Sequence, residues 1–282
     1  MRMAARRSLG RRSTGIATIV CVLLSICALF PFFWMVVSSM KYDDELYRDP
    51  PTLIPQNPTL VKYGEALSRG GFGRYMLNSL FVTGIATAVS VVLATLGGYA
   101  FARLDVPGGK ALLFGILLTY TFPGILILIP FYFVFRSLGL IDTHLALVIV
   151  YVTFTLPYAI WTMRNYFLQL PESVEECAMV DGCTRMRALW KVILPMARPA
   201  IAACFIYCFV SGWNEFMFAN TIVTKESLRT LPIGLNAIMG EFTTDWGLLM
   251  AGSVISTVPM MALFSLIQTN LVEGLSAGAV KG

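Results

Sequence analysis

Long intervals without an ionisable side chain organise this chain. No Asp, Glu, Lys, Arg or His interrupts residues 13–40, 75–102, 111–135, 145–163 or 246–272, and the interval 199–224 contains one, Glu215. Each approaches or exceeds the ~20 residues that a helix needs to cross the hydrocarbon core. The pattern predicts six transmembrane helices. Strands are excluded as spans, because the apolar runs are too long and too continuous for the alternating ten-residue segments of a barrel. Prolines at 31, 123, 130, 157 and 259 lie inside these runs and predict kinks. The resulting fold class is an all-α integral membrane protein.

Five arginines precede the first apolar run, which is the outline of a secretory signal. The run is too long for one and no A-x-A-like cleavage site follows, so a retained anchor is expected. Lys and Arg then orient the bundle. With the N-terminus inside, residues 1–12, 103–110, 164–198 and the C-terminal tail carry thirteen basic residues, against eight in 41–77, 136–144 and 223–245. Both termini are therefore expected in the cytoplasm. The domain plan is a basic N-terminus at 1–14, a first span at 15–40, an extracytoplasmic segment at 41–77, a five-helix core at 78–270 and a tail at 271–282. Pro50, Pro51, Pro55 and Pro58 suggest a semi-rigid strap in the outer segment.

Composition agrees and narrows the chemistry. Hydrophobic residues make up 57% of the 282, charged residues only 13%, and the mean hydropathy is +0.72. A soluble domain carries about 25% charged residues. The lone histidine, His144, leaves little for metal ligation or His-dependent catalysis, so no metal, no catalytic residue and no nucleic-acid partner is expected. Cys204 and Cys208, one turn apart, are read as packing residues. A membrane enzyme would need a nucleophile with a base, or metal ligands, within the spans. A proton- or sodium-coupled carrier would show inverted repeats and several buried ionisable groups. Neither pattern is present, and the ion-coupled carrier stands as the rival reading.

Residues 164–199 do not read as a simple connector. Pro171 suits a helix start, Glu172, Glu175 and Glu176 suit its positive end, and Gly182 suits its stop. A second helix over about 184–194 is expected to end at Pro195 and Pro199. Val174, Cys177, Ala178 and Asp181 share one small face that fits a groove on a partner. The competing structural role is an amphipathic helix on lipid headgroups, held by Arg185, Arg187 and Lys191.

Glu176-Cys177-Ala178, then Gly182, then Val192-Ile193-Leu194-Pro195 resembles the signature loop of ATP-binding-cassette importer permeases. That pattern is E-A-A, three residues, G, nine residues, I-x-L-P; Cys177 and Val192 are small departures from it. Asn78-Ser79, Tyr99-Ala-Phe-Ala-Arg103, Ser211-Gly-Trp-Asn-Glu-Phe216 and the tail Gly274-Leu-Ser-Ala-Gly-Ala-Val-Lys-Gly282 are similar to the carbohydrate-importing, maltose/trehalose-type branch. The resemblance implies a type I importer permease fold, with a cytoplasmic coupling helix between the fourth and fifth spans, in a bacterial plasma (inner) membrane. It implies the second permease of a heterodimer, importing a disaccharide such as trehalose. The implied partners are a second homologous permease, a dimeric ATP-binding-cassette ATPase, an extracytoplasmic sugar-binding protein and membrane lipid.

ATP and Mg would be bound by the partner ATPase, so this chain is expected to hold no cofactor and not to be an enzyme. Its nearest approach to a phosphate loop, Gly108-Gly-Lys-Ala111, lacks the spacing and the hydroxyl. Glu175, Glu176, Cys177, Ala178, Asp181 and Gly182 are the implied ATPase-coupling set, and the tail is a second expected contact. Trp213, Asn214 and Glu215 are the candidate substrate path. For Glu215, an alternative is a carboxylate that reaches the outer interface beside the belt residue Trp213.

Overall fold

The computed structural model describes residues 2–279 apart from 69, 70, 241 and 242, with side chains from Ala17 to Gln268. The side chains of the basic N-terminus 1–14 and of the tail 271–282 lie outside the described residues. Helices dominate: α1 is Arg2–Ser39, α2 Asp43–Leu46, α3 Val61–Ser68, α4 Phe72–Arg103, α5 Gly109–Thr121 and α6 Gly124–Ser137. They are followed by α7 His144–Gln169, α8 Glu172–Val180, α9 Arg185–Ala188, a π-helical turn Leu189–Ile193 and α10 Leu194–Met196. The last four are α11 Arg198–Trp213, α12 Met217–Ile222, α13 Leu231–Ile238 and α14 Trp246–Ala279.

Among the described residues, four helices are long and apolar enough to span alone: Ala17–Ser39, Phe72–Arg103, His144–Gln169 and Trp246–Gln268. Counting each of two bent pairs as one span brings the number to six. The expected third span, 111–135, is not one kinked rod. It breaks between α5 and α6 with a 98° bend. Pro123 explains the break, since it offers no N–H and drives Phe122 to an extended backbone (φ −70°, ψ 130°). The expected fifth span, 199–224, is likewise α11, a break at 214–216, and α12.

The chain divides into two compact units, Met1–Gly70 with Ile238–Ile255, and Gly71–Ala237 with Ser256–Gly282. In the first, the segment that the prolines suggested as a strap carries the short helices α2 and α3. Lys62 on α3 is buried, with its Nζ 2.8 Å from Asp245 and 3.1 Å from Asp43. Burial alone would lower the Lys62 pKa, but the two carboxylates outweigh it and hold it above its ordinary value. Asp245 also accepts the Leu248 N–H at 2.9 Å, which caps the start of α14. Lys41 is fully buried, bonded to the Thr52 carbonyl, with its ammonium 4.8 Å from the Trp34 ring centroid.

The second unit is built on the α4–α7 pair, with α11 laid against both. Small and hydroxylated residues make the seam. Ala86, Ser90 and Ala94 are buried, and the Ser90 hydroxyl lies 2.9 Å from that of Thr155. A Cβ on Gly98 would come 2.7 Å from the Met163 Cβ and 2.8 Å from the Arg164 amide nitrogen. Only glycine permits that approach. Cys204 and Cys208 are buried in this packing, as their apolar setting predicts. At the far end, Asp142 (φ 59°) clips two loops together. It accepts the Thr224 and Lys225 amides at 2.6 and 2.9 Å, and the Lys225 bond leads in holding its carboxyl below the usual range.

Candidate coupling elbow and substrate cavity

The glutamates Glu172 and Glu175 stand in the first turn of α8, where the unpaired amides favour negative charge. The helix ends in a hydrogen-bonded turn. Asp181 donates to the Cys177 carbonyl, Gly182 to Met179 and Cys183 to Ala178, all at 3.0 Å. Gly182 adopts φ +84°, and the Thr184 hydroxyl then accepts the Arg187 amide to start the next helix. Helical backbone continues past the expected stop, through Pro195 to Met196. The π turn at 189–193 widens the coil where the proline removes a donor. The chain bends by 78° only at Ala197, before α11.

The elbow is packed, not tethered. Leu189, Ile193 and Ala197 are buried in one cluster with Tyr99, Met163 and Phe167 from α4 and α7. This packing divides the implied coupling set. Glu176, Cys177, Asp181 and Gly182 are exposed, whereas Glu175 and Ala178 are buried. The single face expected from Val174, Cys177, Ala178 and Asp181 is therefore split. Val174 and Ala178 pack toward this chain, while Cys177 and Asp181 face away. Val180, Met186 and Trp190 add exposed apolar surface, with Val180 88% exposed.

Glu175 has internal partners. The Tyr99 hydroxyl donates to its Oε1, and Arg103 Nε stands 3.5 Å from its Oε2. Arg103 also donates to the Leu170 carbonyl at 2.6 Å and lies 3.5 Å from Glu172. No simple periodicity of α8 singles out Glu175 from Glu176. The nearest sequence signal is the pairing of Tyr99 and Arg103 one turn apart at the end of an apolar run.

The second candidate site lies deeper in the same unit. Glu215 is not inside a continuous helix, as its apolar surroundings suggest. It follows the end of α11, and its two oxygens accept the Phe218 and Ala219 amides at 2.8 and 3.0 Å. The carboxylate caps α12, and its charge answers the free N–H groups of that short helix. Glu215 also lines a cavity of about 220 Å³ with Tyr120, Tyr151, Thr155, Tyr207 and Ser211. Trp213 does not join it. That indole is buried and stacked on Phe209 at 5.6 Å. Asn214 does not line the cavity either; its amide donates to the Val210 carbonyl at 2.9 Å. Sequence reasoning missed the three tyrosines, although phenols placed inside apolar spans were the available signal.

Broken and continuous apolar helices, a packed elbow and a cavity lined mostly by apolar side chains with a few phenols and hydroxyls are the features of an integral membrane protein. The chain belongs to the family described as binding-protein-dependent transport system inner membrane component, whose model matches residues 94–277. It is the permease component of an ABC importer and has the type I permease fold. It is 37% identical to the inner membrane ABC transporter permease protein YcjP of Escherichia coli (strain K12) over 262 residues, covering 92% of this chain and 94% of that one. Identity is 36% over 264 residues with the trehalose/maltose transport system permease protein MalG of Thermococcus litoralis, covering 93% and 94%. Among solved structures, a chain of a bacterial ABC transporter involved in the import of the acidic polysaccharide alginate superposes with a TM-score of 0.79. That match has 26% identity and covers 92% of this chain and 96% of the other.

Proposed function

We propose that this chain is a permease subunit of an ATP-driven sugar importer, and that the elbow at 170–197 takes up the motion of a cytoplasmic ATPase pair. The observation that carries the reading is the packing of the elbow. A motor can move a helix bundle only through a body that does not give way, and this one shares a buried core with α4 and α7. Glu176, Cys177, Val180 and Asp181 then form the outward face for docking. The inward bias of Lys and Arg supports placing both termini and the elbow in the cytoplasm. A second permease, an ATPase dimer that binds ATP and Mg, and an external sugar-binding protein complete the particle. Family membership gives the ion-coupled carrier no support.

Sugar as the substrate class rests on the names of the relatives and on the cavity. Phenol, hydroxyl and carboxylate groups beside aromatic faces suit a polyol, whose hydroxyls need partners and whose C–H faces stack. A disaccharide such as trehalose is the specific substrate proposed. The complex co-purified from native membranes and reconstituted into vesicles with its binding protein is expected to take up labelled trehalose only with ATP. Uptake driven by an ion gradient without ATP would overturn the mechanism, and ATP-driven uptake of other sugars alone would overturn the substrate.

The cavity makes its own prediction. Tyr207→Phe removes one hydroxyl from the lining without touching the α12 cap, and one hydrogen bond is worth about 0.5–1.5 kcal/mol. The KM for uptake should rise roughly two- to tenfold, with complex yield unchanged. Glu215→Gln should change uptake with assembly intact. Unaltered kinetics in both variants would leave Glu215 as a helix cap only.

A further inference from the structure

Two adjacent glutamates of α8 have opposite surroundings. Glu176 is exposed, whereas Glu175 is 5% exposed and is held by groups on α4. A buried carboxylate persists only when it is paired and hydrogen-bonded, and the Tyr99 hydroxyl and the Arg103 guanidinium do both. The Arg103 side chain is itself buried, at 6% exposure. Its fork reaches the Leu170 carbonyl ahead of α8 at 2.6 Å. In return, the Arg185 guanidinium at the start of α9 donates to the Arg103 carbonyl at 3.3 Å. The last turn of α4 thus grips the elbow before α8, on α8 and at α9.

The chain joins the elbow covalently to α7 and α11 only. At its other reach, α4 meets the wall of the substrate cavity. A Cβ on the lining residue Gly212 would lie 3.2 Å from Thr83 of α4 and 3.1 Å from Tyr151. Helix α4 is therefore a single rod, 32 residues long, that touches both the elbow and the cavity.

We propose that Tyr99, Arg103 and Glu175 form a latch that passes displacement of the elbow to α4, so that Glu175 is a positioning residue and not a contact to the motor. This rests on the elbow taking up motion from an ATPase, as argued above. Breaking the latch leaves the outward face of α8 in place but lets the elbow move without α4. Fewer sugars are then moved for each ATP hydrolysed.

The test measures sugar uptake and ATP hydrolysis on the same reconstituted complex. Glu175→Gln and Tyr99→Phe should each lower the uptake-to-hydrolysis ratio by roughly tenfold, within the five- to 150-fold range of allosteric couplings. Their complexes should assemble in normal yield. The reversal Arg103→Glu should lower the ratio as well, and the double reversal Arg103→Glu with Glu175→Arg should recover part of it. A merely structural role would lower yield, uptake and hydrolysis in parallel, without recovery in the double variant, and that outcome overturns the latch. An unchanged ratio in assembled Glu175→Gln and Tyr99→Phe complexes does the same. If the unsubstituted complex shows no ATP-dependent uptake, the importer reading itself falls, a result distinct from failure of the variants.

Discussion

Replacing Gly182 with proline is expected to abolish ATP-dependent sugar uptake while leaving the chain inserted in the membrane. The turn between α8 and α9 is made by the backbone of this residue, which sits at φ +84°. Proline is confined near φ −65° and cannot take that value. It would also delete the Gly182 N–H that donates to the Met179 carbonyl at 3.0 Å. Open space surrounds the missing Cβ, so the damage would come from the backbone and not from a steric clash. Proline cannot relax into that region of backbone space, and the elbow must unwind to absorb it. Gly182→Ala, by comparison, carries only the left-handed penalty of about 1–2 kcal/mol, and should reduce uptake without eliminating it. The measurement is uptake in reconstituted vesicles beside the yield of complex in the membrane fraction. Uptake at the unsubstituted rate in Gly182→Pro would count against the elbow as the moving part.

The second large effect should come from Gly98→Leu on α4. The first carbon of any side chain there would meet the Arg164 amide nitrogen at 2.8 Å, and backbone cannot swing aside as a side chain does. α4 and α7 must then part along the turns that hold the Ser90–Thr155 bond and the Tyr99 ring against Phe167. Overpacking of this kind costs about 1–3 kcal/mol, and here it falls on the central helix pair of the unit. Thermal unfolding of the purified complex in detergent should shift several degrees lower. The neighbouring Gly97 supplies the control. Its Cβ would sit 3.5 Å from the end of the Ile160 side chain, an ordinary contact. Gly97→Ala should therefore keep its stability. Equal melting of Gly98→Leu and the unsubstituted complex would refute the close-approach argument.

Much of the fold is legible in the sequence. Four of the uninterrupted apolar intervals coincide with long apolar helices, because a charge inside lipid is costly enough to leave a visible gap in the sequence. The bends were less legible. Pro123, Pro130 and Pro157 look equivalent as letters, yet only Pro123 stands at a 98° break, while Pro130 and Pro157 remain within α6 and α7. A proline removes one bond wherever it stands. Whether the helix then breaks depends on what its neighbours offer the freed carbonyls.

The elbow shows the same division at the scale of single residues. Gly182 as a stop, and glutamates at the helix start, follow from local rules of capping and charge that the chain carries in its own order. The opposite orientations of Glu175 and Glu176 do not. They depend on Tyr99 and Arg103, more than seventy positions earlier, arriving at the same place. The cavity is a similar case, since Tyr120, Tyr151 and Tyr207 come from three separate helices and Glu215 from the break after α11.

The sequence by itself determined that this is a multi-pass membrane protein built of long apolar helices, and that a helix stopped by a glycine lies between them, because hydropathy and capping act over a few turns. Only the tertiary structure decided which acid faces inward, which tryptophan is packed away and which tyrosines share a cavity. The physical reason is that burial and pairing are properties of surfaces brought together by folding, and neither partner's local sequence specifies the other's arrival.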